Sequence, residues 1–430
     1  MDNENQAEIS FKSTWNTSQF DELPLNSDIR FVMLRDTPGF YTYAIFERLE
    51  GWPLVDIENL RVVFKLQHDM FHYMAISDER QRIMPMPVDR ETGKVLDYKE
   101  AVLLTNPTNT DLTGEVDDKY FYANDNKDDR VHGWVGADPP VGFWMIIPSD
   151  EFRTGGPYKQ DLTTHVGPTV LSVFVSRHYA GDDLVIKFQQ GEPWKKVIGP
   201  VFLYLNSNAS AMDDPTVLWD DAKKRMNQEV ASWPYDFPVS EDYIKSNQRG
   251  TVTGQLFFNA HVYQNNSESI FRQYGLWEQY SVLYPENDLV YNVGTSNYSK
   301  DWFFAHVTRN IGNKTYEATT WKIMFNLECV VDSAANYTLQ LALAAAQGAK
   351  LQVRFNDEKV VDPHFTTGKI GGDNAIARHG IHGLYWLHNI IVCGNLLLNG
   401  TNTIFLTQAI ATNPFQGVMY DYIRFEGPHQ

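Results

Sequence analysis

Apolar runs rich in Val, Ile, Phe and Tyr recur through the first 206 residues, separated by clusters of Gly, Pro, Asn and Asp. RFVMLRD from Arg30, FYTYAIFERLE from Phe40, LRVVFKL from Leu60, VGFWMIIP from Val141, VLSVFVSRHY from Val170 and PVFLYLN from Pro200 have the length and the β-branched or aromatic content of strands. Several lack polar alternation, which predicts burial on both faces. The turn signals between them, such as DTPG at Asp36 and ADPP at Ala137, are those of an all-β sandwich.

One segment breaks the pattern. In DDPTVLWDDAKKRMNQEVASWP, Asp214 stands as N-cap with Pro215 at the first helical position, and Leu218, Ala222, Met226 and Val230 recur every four residues. This predicts a helix of about four turns that ends before Pro234, with a packing role and a solvated charged face.

From Trp233 the chain becomes a Pro- and Asn-containing connector with one strand-like run, TVTGQLFF from Thr251, too short to be a domain by itself. A second strand-rich block follows: WFFAHVT at Trp302, TTWKIMFNLE at Thr319, NYTLQLALAAA at Asn336, LQVRF at Leu351, NTIFLTQA at Asn402 and VMYDYIRFE at Val418. Strands at this spacing suggest a jelly-roll β-sandwich, the shape of many carbohydrate-binding modules. The expected organisation is a β-sandwich domain over 1–245, a connector over 246–273 and a jelly roll over 274–430.

Composition fits this outline. A chain of 430 residues exceeds one ordinary core, and 43% hydrophobic with 13% aromatic residues is enough to fill two or three. The net charge of −18 argues against nucleic acid, whose phosphates need a basic surface. An acidic ligand would need a local cationic cluster to override that field. No run of about 18 apolar residues occurs, so no membrane span is expected. The start MDNENQAEIS lacks the basic and apolar regions of a signal peptide, whereas N-x-[ST] sequons at Asn16, Asn208, Asn265, Asn297, Asn313, Asn336 and Asn399 lean towards secreted ancestry. Cys329 and Cys393 can pair but do not amount to a disulfide framework.

No Walker-type loop, G-x-S-x-G elbow or HExxH motif is present. In RHGIHGLYWLH, His379 and His382 lie three apart with His388 beyond; without helical spacing they read as hydrogen-bonded structure, and no metal site is assigned. The stretch from Gly114 to Pro168 is different. GEVDDKY carries Lys119 behind two acids, and GGPYKQDLTTHVGP carries Tyr158 and His165 in a Gly/Pro-punctuated loop, residue types suited to proton transfer on a carbohydrate. FHYMAISDERQRIMPMP adds Arg80 and Arg82, which with Lys119, His165 and Lys159 form a candidate cationic cluster. The same residues also have plain readings: Lys119 as a surface ion pair with Asp117 or Asp118, and His165 as a satisfied loop residue.

The longer runs resemble a known family. YAIFERLEGWP from Tyr43, FHYMAISDERQRIMPMP, GEVDDKY, HGWVGADPPVGFWMIIPSDEFRTGGPYKQDLTTHVGP from His132, GPVFLYLNS from Gly199, FRQYGLWEQY from Phe271, DWFFAHVTR from Asp301, DNAIARHGIHGLYWL from Asp373 and PFQGVMYDYIRFEGP from Pro414 are similar to the plant branch of the rhamnogalacturonan lyases, polysaccharide lyase family 4. The resemblance implies a secreted cell-wall enzyme acting on the acidic polysaccharide rhamnogalacturonan I. There the rhamnose-(1,4)-galacturonate bond breaks by β-elimination. No cofactor is implied for catalysis, a structural calcium ion is compatible, and a monomer is expected.

By motif, the resemblance places the catalytic pair at Lys119 and His165 and substrate contacts at Tyr158, Arg82, with Arg80 beside it, and Asp161. Lys119 is the expected base and His165 the acid or leaving-oxygen partner, with their exchange left open. Gln160 stands where the family has an aromatic residue. The family also carries catalytic-domain strands ahead of the point matching Met1, and a fibronectin-III-like domain between the blocks, most of which is expected to be missing here. The expectation is an incomplete β-supersandwich catalytic domain, a vestigial middle domain and a carbohydrate-binding-like jelly roll. A catalytically inactive pectin-binding protein is the alternative.

Overall fold

The computed structural model describes residues 3–16, 23–98, 100–157, 159–165, 167–178, 181–249, 275–328, 333–372, 375–377 and 383–427. They divide into two all-β units, one built on residues up to 249 and one on residues from 275. Most of the expected connector, together with Tyr158, Cys329, His379 and His382, lies outside the described residues.

An eight-stranded antiparallel sheet organises the first unit, in the order Gln6–Ser13, Asn26–Leu34, Gly39–Arg48, Trp194–Ser207, Pro140–Ile146, Val131–Ala137, Phe71–Ser77, Arg80–Ile83. Successive side chains of a strand point to opposite faces, so the neighbours Phe40 and Tyr41 serve different cores. Tyr41 stacks on Phe202 with centroids 4.4 Å apart, on the face covered by the helix Thr216–Ser232. Phe40 meets Phe64 at 5.8 Å on the other face, and Phe64 meets Phe143 at 5.7 Å. Phe64 belongs to Asn59–Lys65, which pairs with the wholly buried strand Thr169–Ser176. Each large ring removed from water there contributes roughly 2–3 kcal/mol.

The helix forms as the spacing predicts, with Asp214 accepting a hydrogen bond from the Thr216 amide at 3.0 Å. Its buried face differs at one end. Leu218, Trp219 and Ala222 are buried, but Val230 is 40% exposed and Glu229 faces inward instead. A drift of 3.6 rather than four residues per turn brings Glu229 under the sheet, where the hydroxyls of Tyr41 and Tyr235 donate to it at 3.1 and 2.5 Å.

The strand Gln6–Ser13 has no apolar run, and Ile9 and Phe11 are more than half exposed. It is held by pairing and by Glu8, which accepts from the Tyr43 hydroxyl at 2.7 Å and from Arg30 at 2.9 Å.

The second unit has two five-stranded sheets. One runs Val290–Asn292, Thr319–Leu327, Gly400–Gln408, Leu351–Phe355, Phe365–Thr366; in the other, His306–Val307, Gly417–Glu426 and Asn336–Ala349 are neighbours, with Ile370–Gly372 and Trp386–Cys393 also paired to Asn336–Ala349. Trp321, Leu341, Val353 and Leu406 are fully buried in this unit. Of the run WFFAHVT only His306–Val307 is strand. Trp302 packs edge-on against Trp321 at 4.9 Å instead of pairing. Among the described residues no helix is long and apolar enough to cross a membrane.

Candidate active site

At one edge of the eight-stranded sheet, Arg80 and Arg82 occupy alternate positions of Arg80–Ile83 and so share a face. Both reach the segment that follows Gly114. That glycine has φ of +81°, a conformation costly for any residue with a Cβ. The turn it makes leads Val116–Asp117 into pairing with Val102–Leu103. Asp118 then caps the short turn Lys119–Tyr122, accepting from the Tyr120 amide at 3.1 Å.

Backbone pairing brings the two halves of the site together. Ala123–Asp125 forms a ladder with Gln160–Leu162, and Thr163 donates from its amide and its hydroxyl to the Tyr122 carbonyl at 3.2 and 2.6 Å. His165 is therefore fixed two residues beyond a bond to the turn that carries Lys119. Burial lowers the pKa of His165, and the Lys119 ammonium lowers it further, as do Arg61 and Arg90, with Glu100 opposing.

Lys119 is 6% exposed, lies 5.1 Å over the Tyr120 ring and makes an ion pair with Glu100. Arg90 donates to the Glu100 carbonyl at 2.6 Å and to the Asp117 carbonyl at 2.9 Å, and pairs with the Asp117 carboxylate. Asp117 also accepts from the Tyr122 hydroxyl at 2.6 Å. Asp118 is fully buried, which pushes its carboxyl up to about 6 against the lowering effect of the Tyr120 amide. Arg82 pairs with Glu115 at 2.5 Å.

The other candidates sit elsewhere. Arg80 spends its guanidinium on the Phe121 and Ala123 carbonyls and on Asn124, at 2.9 Å for the last, which clamps the Lys119 turn from behind. Asp161 is 2% exposed and bonded to Lys159 at 2.6 Å, so this lysine is part of a buried pair and not of a cationic cluster. The cations around Lys119 are matched by acids: Arg82 by Glu115, Arg90 by Asp117, Lys119 by Glu100. Three cations of the site are thus spent on neighbouring acids. Glu100, Arg90 and Arg61 carry no motif signal of their own; they enter through folding of the segments that cover Lys119. Among the described residues no group of three or more His, Cys, Asp or Glu side chains is placed to hold a metal ion.

The fold and the site define a two-unit all-β protein whose first unit joins the segments of Lys119 and His165 by a backbone ladder, beside arginines paired with acids. A model of the rhamnogalacturonate lyase family matches residues 1–116, and a CBM-like model, polysaccharide lyase family 4 domain III, matches residues 248–425. The chain belongs to this rhamnogalacturonate lyase family, polysaccharide lyase family 4. It is similar to a rhamnogalacturonate lyase of Dickeya dadantii, 29% identical over 54% of this chain and 36% of that protein. It is also similar to a probable rhamnogalacturonate lyase B of Aspergillus niger, 23% identical over 47% of this chain and 29% of that protein. The matches thus span about a third of each curated relative's own length. A galactose mutarotase-like protein from Lactobacillus casei overlaps at 12% identity with a TM-score of 0.24, covering 48% of this chain and 71% of that one, too little to carry an argument.

Proposed function

We propose that the chain is a rhamnogalacturonan endolyase that cleaves rhamnose-(1,4)-galacturonate bonds of rhamnogalacturonan I by β-elimination, in the extracellular setting where that polymer is found. The observation that carries this reading is the backbone ladder between Ala123–Asp125 and Gln160–Leu162, with the Thr163 hydroxyl on the Tyr122 carbonyl at 2.6 Å, which joins the turn of the buried Lys119 to the segment of His165. Two titratable groups held together in this way suit a reaction in which one proton leaves C5 of the uronate and another is delivered to the departing C4 oxygen.

The C5 proton is only weakly acidic, so the uronate carboxylate must be neutralised as charge spreads onto it in the transition state. Arg82 suits that contact because a guanidinium stays charged and binds a carboxylate through two nitrogens. Tyr158 is proposed to meet the sugar ring, while Arg80 and Asp161 support the residues that touch it. The elimination, written this way, uses only side chains of the chain itself.

Incubation with rhamnogalacturonan I should give a rise in the ultraviolet absorbance of unsaturated uronate, and Lys119→Ala and His165→Ala should each lower the rate by about 10²–10⁴ while keeping the thermal transition of the parent. A folded parent chain that gives no rise would refute the reading.

A further inference from the structure

Asn208, Asn297, Asn313 and Asn336 head the triplets Asn-Ala-Ser, Asn-Tyr-Ser, Asn-Lys-Thr and Asn-Tyr-Thr, none with proline in the middle, and all four are exposed. Among the described residues, none of their Nδ2 atoms donates a hydrogen bond. Asn208 and Asn297 use only Oδ1, which accepts from the amides of Ser210 and Ser299 at 3.0 Å and so caps the short turns Ala209–Met212 and Tyr298–Asp301. Asparagines whose amide nitrogen ties the fold together stand outside any sequon. Asn206 donates to the Leu218 carbonyl at 3.0 Å, Asn356 to the Leu396 carbonyl at 2.8 Å and Asn126 to the Gly156 carbonyl at 2.9 Å. A sugar on Nδ2 would disturb such bonds; at the four sequon positions it disturbs none.

Each of the four also has an apolar neighbour left in solvent. Met212 lies in the turn that Asn208 caps, Tyr298 follows Asn297, and Ile311 stands two residues before Asn313; all three are more than half exposed. Asn313 sits in the turn between Arg309–Asn310 and Tyr316–Glu317, where a Cβ added to Gly312 would meet nothing within 4 Å. Asn336 shares the outer face of Asn336–Ala349 with Thr338, and the more than half exposed Ile391 is the cross-strand partner of Thr338. Single exposed apolar side chains are ordinary; their recurrence beside each of the four free amides is what points to a covering group. Asn16 and Asn399 are exposed but already make other interactions, and Asn265 lies outside the described residues.

On the lyase reading above, in its extracellular setting, we propose that Asn208, Asn297, Asn313 and Asn336 carry N-linked glycans whose first sugars cover Met212, Tyr298, Ile311 and Ile391. A pyranose suits this role because its ring carbons present an apolar face while its hydroxyls stay in water, so a bulky polar group replaces an exposed apolar one at the surface. The donor is an oligosaccharide linked to a polyprenyl pyrophosphate. Its anomeric C1–O bond breaks, the pyrophosphate leaves with that oxygen and its electron pair, C1 bonds to Nδ2, and one Nδ2 proton is released. No oxidant or reductant is needed.

Mass spectrometry of the full chain, secreted from a eukaryotic host behind a supplied leader, tests the assignment. Release of the glycans by a peptide N-glycosidase in ¹⁸O-water should leave labelled aspartate in place of Asn208, Asn297, Asn313 and Asn336. No label at these positions, there or in the chain isolated from its natural source, overturns the proposal. The covering role is read with a hydrophobic fluorescent dye. Deglycosylation of the folded parent should raise dye binding severalfold, as should the quadruple variant Asn208→Gln, Asn297→Gln, Asn313→Gln, Asn336→Gln. Adding Tyr298→Ser to Asn297→Gln should remove the share of that site. Equal dye binding before and after deglycosylation overturns the covering role without depending on how a variant folds. Occupied sites on a chain that yields no unsaturated uronate would sink the lyase reading alone, and empty sites on an active chain would sink this proposal alone.

Discussion

Lys159 and Asp161 form an ion pair at 2.6 Å with 4% and 3% of their side chains exposed. Burial raises the pKa of Asp161 and Lys159 opposes the rise, so the pair survives only because both members are present. Lys159→Met leaves a buried carboxylate uncompensated and should cost about 3–5 kcal/mol, whereas adding Asp161→Leu should recover most of that loss. Urea unfolding midpoints of the parent, the single and the double variant check this. A double variant as weak as the single one would show that the pair does more than cancel its own charges.

That pair also shows where the sequence stops being readable. The strands around Phe40, Leu60, Val170 and Pro200 were legible because their burial is written in continuous apolar runs, and the helix after Asp214 because its cap and spacing are local. Lys119 and His165 were singled out by motif, and the ladder between Ala123–Asp125 and Gln160–Leu162 joins their segments. What YKQDL does not disclose is that Lys159 and Asp161, two apart, share one face of a buried segment; an exposed pair would have the same letters. The pairing of Glu100 with Lys119 is hidden for a similar reason, since it depends on a bond from Arg90 to the Glu100 carbonyl across the fold. The strand Gln6–Ser13 is hidden because pairing, not hydrophobic burial, holds it. Contacts made across the fold by polar side chains leave no periodic trace.

Asp118 should make the first unit less stable as pH rises. Its carboxyl is pushed up to about 6 in the folded chain, above its ordinary 3.8. The neutral acid is therefore favoured by folding: this stabilisation is present below about pH 4 and is lost as pH rises towards and past 6, at most about 3 kcal/mol. Asp118→Asn keeps a good helix cap without a charge to bury. Relative to the parent it should gain stability above pH 6 and show a smaller difference below pH 4, measured by chemical denaturation at the two pH values. An equal difference at both would contradict the assignment.

In the second unit His306 predicts the opposite trend. It is fully buried, stacks on Trp321 at 4.3 Å and lies between the Tyr420 hydroxyl at 3.0 Å and the Thr319 carbonyl at 3.2 Å. The carbonyl can only accept, so the nitrogen facing it carries the proton and the other accepts from Tyr420. Burial lowers the imidazole pKa to about 3 from 6.5. Stability is then complete above about pH 6.5 and declines as pH falls towards 3, by at most about 5 kcal/mol, because the unfolded chain takes up the proton first. His306→Asn should be less stable than the parent at pH 7.5 and lose less on acidification. Thermal unfolding followed by near-ultraviolet circular dichroism between pH 4 and 7.5 reads the difference, and parallel acid losses in the two proteins would rule it out.

Arg82 and Glu115 give a prediction in which two substitutions move binding in opposite directions. Their ion pair at 2.5 Å, with 10% and 14% of the side chains exposed, holds the guanidinium beside the Lys119 segment. If the uronate carboxylate takes up this guanidinium, Arg82→Ala should weaken binding to rhamnogalacturonan I about tenfold, the loss of one charge-assisted contact. Binding to neutral side-chain oligosaccharides should not change. Arg82→Lys should restore only part of the affinity, because an ammonium lacks the planar fork. Glu115→Gln removes the competing carboxylate and should tighten binding of the acidic polymer severalfold. Calorimetric titration with the acidic and the neutral ligand separates these cases. A purely structural pair predicts that Arg82→Ala and Glu115→Gln both lower the melting temperature and weaken both ligands alike, and that result would remove Arg82 from the binding site.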